Sequence, residues 1–250
     1  MSKKLSRVLC VAAALIILVS LTGCDDKKEK TPSSTTTVET ALPKASATPQ
    51  PVRNAIMFGH YEQDNDLTHG KEPIEWIVLD ERADGSLLLL SKYALDCKPY
   101  NTERIPVAWK TCSMREWLNG DFCETAFSTE EQIRILTTAV LNEETPHYMA
   151  KGDYETDDKL WLLSIDEADT FYGEDAIMLC LPTRYAAAQG AEQRNDYSVD
   201  GAGTCWWWLR SSGDDANRAA YVNDFGIIGN FGNYVSYGHY SVRPVMRILP

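Results

Sequence analysis

The chain has 250 residues, 44% hydrophobic and 24% charged, with 36 acidic against 24 basic side chains and a formal charge of −12. Such an acidic balance argues against nucleic acid as a partner and against direct adhesion to anionic lipid, since both carry the same sign. Chain length beyond the N-terminal region suits one domain with a sizeable core.

Residues 1–23 read as a leader and not as part of the fold. Lys3, Lys4 and Arg7 make a positive start, and Val8–Val19 is an apolar run of twelve residues. That is too short to span a bilayer and suits a signal-peptide core. Leu21, Thr22 and Gly23 then precede Cys24 and resemble a lipobox. The resemblance implies cleavage before Cys24, acylation of Cys24 with more than one acyl chain, and an extracytoplasmic protein whose partner is the membrane through that lipid anchor. Each buried methylene of an acyl chain adds about 0.8 kcal/mol of membrane affinity. Loss of the leader's three basic residues moves the formal charge from −12 to −15. Residues 24–54 continue without an aromatic residue and are crowded with Ser, Thr, Pro and charge. Such a segment cannot bury enough apolar surface to offset its chain entropy, so it is expected to be a tether with a reach of about 30 Å.

The domain, residues 55–250, opens with two strand-like runs, "IMFGHYEQ" and "IEWIVLDE", joined by the polar loop "DNDLTHGKEP". The Asp84-Gly85 pair between "IVLDE" and "LLLLS" predicts a hairpin. Three capping boxes are expected next: Ser113 with Glu116, Ser128 with Glu131, and Ser164 with Glu167. The first helix should end near Gly120, the second should bury Ile133 and Leu136 on one face, and the third should stop at Gly173. "KLWLLS" reads as a strand and "PTRYAAAQGA" as a short helix. From Gly190 onward Gly, Asn, Tyr and Ser dominate, with alternating runs at "WWWLRS", "AAYVN" and "SVRPVMRIL". Strands, then helices, then strands, without βαβ alternation, predict an α+β fold with a mostly antiparallel sheet and several short helices. No phosphate-binding glycine motif or serine-hydrolase elbow occurs, and no cofactor is expected.

Five cysteines remain in the domain, Cys97, Cys112, Cys123, Cys180 and Cys205, and no spacing suits zinc. The odd number leaves at least one thiol unpaired. Pairing is not assigned by sequence, and a buried free thiol is the default for each. The acidic groups Asp64/Asp66 and Asp153/Glu155/Asp157/Asp158 lack the spacing of a calcium-binding EF-hand loop and read as solvated loops. His60, His69, His147 and His239 stand beside no nucleophile pattern, so no catalytic residue is assigned.

The ordered motifs "FGHYEQDND", "GKEPIEWIVLD", "LLLLSKYALDCKPYN", "TCSMREWLNGDF", "WWWLRSSG", "AAYVNDFG" and "VRPVMRIL" resemble a bacterial family of secreted and lipoprotein domains, domain of unknown function 6273. The resemblance spans nearly all of residues 56–249 and implies a fold more than an activity. Trp206–Arg210 and Val242–Pro244 are also similar, remotely, to closing strands of the C-type-lectin-like and formylglycine-generating-enzyme-like folds. The enzyme branch of that likeness implies a metal-holding cysteine pair near the C-terminal strands, yet residues 215–243 contain no cysteine. The lectin branch implies Glu-Pro-Asn or Gln-Pro-Asp together with Trp-Asn-Asp. Neither occurs, and Val222, Asn223 and Asp224 are only a partial echo.

Alternation along a strand puts Trp206, Trp208 and Arg210 on one face and Trp207 with Leu209 on the other. The second face is expected in the core. The first is either a structural clamp, with Arg210 stacked on an indole and paired to Asp214 or Asp215, or a ligand contact. Residues 223–241 have the Tyr/Asn/Ser/Gly composition of adaptable binding loops. Alternatively, "NDFG" and "SYGH" are plain hairpin turns. The candidate ligand-binding set is Trp206, Trp208, Arg210, Asn223, Asp224, Asn230, Asn233, Tyr234, Tyr237, His239 and Tyr240. The function expected is a lipid-anchored surface protein with a non-catalytic, lectin-like domain for a glycan or protein ligand. An extracytoplasmic enzyme and a structural component of the cell envelope are the competing readings.

Overall fold

The computed structural model describes residues 53–142, 155–199 and 202–250. The leader, the Cys24 anchor, nearly all of the tether, His147 and Asp153 lie outside the described residues.

The domain begins with β1 (Ala55–Tyr61), β2 (Glu72–Glu81), β3 (Leu87–Ser91) and the short β4 (Asp96–Cys97). Helices α1 (Ser113–Trp117), α2 (Cys123–Ala126) and α3 (Thr129–Arg134) follow, then β5 (Thr138–Leu141), β6 (Glu155–Asp158) and β7 (Leu160–Trp161). After α4 (Ile165–Asp169), α5 (Asp175–Met178) and α6 (Arg184–Ala188) come β8 (Gln193–Val199) and β9 (Ala202–Cys205). Strands β10 (Trp207–Ser212), β11 (Arg218–Val222), β12 (Ile228–Tyr234), β13 (Ser241–Val242) and β14 (Val245–Ile248) complete it.

Two five-stranded sheets carry the architecture. One runs β1-β2-β3-β14-β7 and the other β12-β11-β10-β13-β4, with β5-β6 and β8-β9 as separate pairs. Pairing is antiparallel except for β10 with β13. The predicted α+β class with antiparallel sheets and short helices is what the chain adopts. The Asp84-Gly85 hairpin forms as expected: Gly85 takes φ +80°, and the Arg82 N–H donates to the Ser86 carbonyl at 2.9 Å. Residues from both sheets and from the helices share one buried cluster, in which Trp76, Trp207, Trp208 and Tyr100 are among the largest enclosed side chains.

The capping boxes at Ser128 and Ser164 are present, each serine hydroxyl accepting from the N–H three residues on and each glutamate reaching back. The third helix ends at Asp169, and the turns after it close at Gly173, φ +86°. The first box is not formed. Cys112, extended at φ −75° and ψ 150°, is the cap, and its sulfur accepts the Arg115 N–H at 3.4 Å. Ser113 is already helical, and its hydroxyl accepts the Thr102 N–H at 3.0 Å. Nor does that helix stop at Gly120: a wide turn over Leu118–Phe122, with Gly120 at φ −111° and ψ −105°, carries the chain into α2. Asn119 fixes the turn by donating to the Arg115 and Leu160 carbonyls and accepting the Lys159 N–H. The expected Ile133/Leu136 face is also overturned. Helix α3 buries no residue and Ile133 is 76% exposed, because Ile135, just past the helix, enters the core and bridges Ile248.

Near the C-terminus the chain passes from one sheet to the other. β13 pairs with β10 and β4, Arg243 and Pro244 follow, and β14 then pairs with β3 and β7. The turn "NDFG" is a hairpin between β11 and β12, with Gly226 at φ +74° donating to the Asn223 carbonyl at 3.0 Å. "SYGH" is not a hairpin. It belongs to a connection that carries the chain from the edge strand β12 past β11 and β10 to β13.

Candidate functional site

The expected binding face is assembled where β10, β11 and the β12–β13 connection meet. Antiparallel register sets Trp208 opposite Tyr221, and the parallel partnership of Trp207 with Ser241 brings Tyr240 beside them. Tyr240 is 6% exposed and central. Its ring lies 4.7 Å from Trp208, 4.9 Å from Tyr221, 5.1 Å from Tyr237 and 6.4 Å from Trp206, the last pair nearly parallel. Asn233 Nδ2 donates to the Tyr240 hydroxyl at 3.2 Å. Burial pushes the Tyr240 phenol well above its usual range.

Around this centre the rim is open. Trp206, Tyr221 and Tyr237 are half-buried, and His239 is exposed. The Tyr237 hydroxyl donates to Glu192 Oε2 at 3.0 Å. Burial and then Glu192 raise that phenol. His239 Nδ1 donates to the Gly190 carbonyl at 3.1 Å, and its ring sits 5.2 Å from Tyr237. Gly229 gives the Tyr221 ring its place: a Cβ there would lie 2.4 Å from the ring.

Tyr234 stands apart from the cluster. The Arg104 guanidinium lies 3.3 Å from its ring centroid and that of Arg218 at 4.9 Å. A hydrogen bond from Arg218, then the charge of Arg104, hold its phenol below the usual value. Arg218 is the residue that pairs with Asp214, at 3.2 Å.

Four of the sequence-predicted residues are therefore interior: Trp208, Arg210, Asp224 and Tyr240 are 0%, 4%, 1% and 6% exposed. Arg210 reaches neither Asp214 nor Asp215. It pairs with Glu167 and donates to the carbonyls of Leu141 (2.8 Å) and Leu162 (2.9 Å), which makes it a structural clamp. The guanidinium stacked on an indole is Arg243 over Trp207, at 5.1 Å. Asn223 holds its own turn, its side-chain oxygen accepting the Phe225 and Ile227 N–H groups at 2.9 Å each. Asp224 lies 3.7 Å from Arg194. Asn230 is exposed on β12. The structure thus gathers Trp206, Tyr237, His239 and Asn233 around Tyr240, and adds Tyr221 and Glu192, which sequence reasoning did not single out. Tyr221 was findable only through the register that sets it opposite Trp208. Nothing local marks Glu192.

Other groups with chemical potential have structural work. Carboxylate oxygens of Glu62, Asp64 and Glu72 lie within 4.8 Å of one another. They accept N–H groups of their own loop: Gln63 to Glu72 at 2.6 Å, and Asp66 to Asp64 and Glu62 at 2.7 and 3.1 Å. Asp158, expected in a solvated loop, is 0% exposed and accepts from Trp109, Arg115 and Thr156. His69 contacts Asp64 at 3.1 Å and His60 is exposed. An apolar cleft of about 170 Å³, lined by Leu88, Trp161, Leu163, Glu167, Thr170 and Phe171, is smaller than the about 300 Å³ at which pockets for drug-sized ligands begin.

Asp96 gives a pH-dependent test of the packing beneath the site. It is 2% exposed and accepts the Tyr61 hydroxyl and the Cys97 N–H, each at 2.7 Å. Burial raises its carboxyl above the ordinary range, with the Tyr61 bond and Lys98 only partly opposing. A carboxyl raised in the fold contributes stability that is fully present below its unfolded value, about pH 4, and lost as pH rises through its folded value. Asp96→Asn is expected to remove that downward slope. Urea unfolding of both proteins across the acidic range checks it, and an unchanged slope would show that Asp96 is not its source.

Residues 84–250 match a family described as "Domain of unknown function (DUF6273)". No curated protein and no solved structure matches the chain.

Proposed function

The chain belongs to the DUF6273 family, and from that premise we propose that it is a lipid-anchored, extracytoplasmic protein whose domain binds a glycan, as a lectin-like reader without catalysis. The observation that carries the reading is the part-exposed rim of Trp206, Tyr221, Tyr237 and His239 around buried Tyr240. Aromatic edges and faces of this kind accept the C–H face of a sugar ring, while Glu192 and Asn233 offer the acceptor and donor that hydroxyls require. The rim is fixed from beneath by core packing, so little ordering cost falls on binding. The leader and Cys24 support the anchor, and the tether would hold the rim clear of the membrane.

The test uses the chain from residue 24 onward with Cys24→Ser, screened on a glycan array and then titrated with the best ligand. Tyr237→Ala is expected to weaken binding about tenfold, the loss of one aromatic contact of about 1 kcal/mol with its hydrogen bond, while the unfolding midpoint moves little. Absence of any glycan above background, or full affinity in Tyr237→Ala, would sink the assignment.

A further inference from the structure

Cys180 and Cys205 meet in the interior, 1% and 0% exposed. The Cys205 N–H donates to the Cys180 carbonyl at 2.8 Å, the two thiols lie close enough to interact, and the Cys180 sulfur contacts the Leu181 carbonyl at 3.6 Å. A backbone bond of this length brings the two residues to roughly the separation a disulfide spans, Cα atoms about 4.4–6.8 Å apart. The segment carrying Cys180 is pinned against β10 and the link between β13 and β14 by two further bonds. Trp207 Nε1 donates to the Met178 carbonyl at 3.3 Å, and Arg243 donates to the Ile177 carbonyl.

Arg243 supplies the unusual part of the setting. It is 0% exposed, lies over Trp207, and among the described residues its acceptors are the carbonyls of Ser91, Lys92 and Ile177, none a carboxylate. Its charge acts on both Cys180 and Cys205. Burial alone would push the Cys180 thiol up, but the bond from Cys205 and the Arg243 charge outweigh it and bring Cys180 below the usual thiol range. Cys205 is raised by burial and by its partner. Burial raises the other three cysteines, Cys97 and Cys112 to about 12.

We propose that Cys180 and Cys205 are a reversible disulfide pair, with Cys180 the attacking sulfur and Arg243 its counter-charge. With a small disulfide as oxidant, the Cys180 thiolate attacks one sulfur and expels the other as a thiolate. Cys205 then loses its proton to solvent and attacks the Cys180 sulfur, expelling the second thiolate. Two protein thiols are oxidised, and one external disulfide is reduced to two thiols. Closing the bond ties the segment after α5 to the end of β9. Both sulfurs are enclosed, so exchange requires local opening and is slow. The pairing does not depend on which ligand the aromatic rim takes.

The chain from residue 24 with Cys24→Ser, whose only thiols are the domain's five, is equilibrated in glutathione buffers of graded ratio, unfolded in alkylating agent and mapped by mass spectrometry. Two protected thiols are expected at oxidising ratios, in one linked peptide pair containing Cys180 and Cys205, with an unfolding midpoint about 5–10 °C above the reduced protein. Cys205→Ser and, separately, Cys180→Ala should abolish both protection and shift. Five alkylated thiols at every ratio, or a linkage joining other cysteines, overturns the proposal.

Discussion

Arg210→Ala is expected to lower the unfolding free energy by about 3–5 kcal/mol, the range for breaking a buried charge network by removing one partner. Its guanidinium donates to the Leu141 and Leu162 carbonyls, to Asn142 Oδ1 at 3.0 Å and to Glu167, so one side chain ties β10 to the end of β5 and to α4. The ion pair is the lesser part. The Glu167 side chain is 41% exposed, and water screens an interaction of that kind. Most of the loss comes from carbonyls left without a donor. Glu167→Gln is accordingly expected to cost only about 1 kcal/mol, since glutamine still reaches back to the Ser164 N–H as a capping residue does. Urea denaturation of both variants decides the ranking. Equal losses would place the energy in the ion pair, and a loss below about 1 kcal/mol in Arg210→Ala would remove the clamp from the stability of the fold.

The second large effect concerns Trp208. Its indole is fully enclosed, packs on Tyr240 and Tyr100, and donates through Nε1 to the Lys98 carbonyl at 3.0 Å. Trp208→Ala is expected to cost about 3–5 kcal/mol, from lost transfer energy and the cavity left behind. Trp206, half-buried and nearly parallel to Tyr240, has less to lose, and its alanine variant should cost about 1–2 kcal/mol. Thermal or urea unfolding of the pair separates the framework tryptophan from the rim tryptophan. If Trp206→Ala proves the more damaging, the rim is structural and the glycan reading loses its surface.

What could be read from sequence was local. The Asp84-Gly85 turn and the boxes at Ser128 and Ser164 depend on residues within four positions of one another, and they formed as expected. Errors arose where a distant group competed. Ser113 yields the cap to Cys112 because Thr102 takes its hydroxyl, and Arg210 ignores the nearby acids because Glu167 is presented by a helix that begins 45 residues upstream, at Ile165. Aromatic composition in residues 234–240 foretold a cluster but not its division. Tyr240 turns inward beside Trp208, Tyr237 stays at the edge, and Tyr234 goes to Arg104 and Arg218. Alternation could not make that division, since two of these tyrosines lie in a connection and not in a strand.

The passage of the chain from β13 through Arg243 and Pro244 to β14 has a consequence for biogenesis. Strand β13 is the link between β10 and β4, and β14 joins β3 to β7. Until residues 241–248 have been synthesised, β1-β2-β3 is separate from β7 and β12-β11-β10 from β4, so neither five-stranded sheet is joined across its width until the last strands are in place.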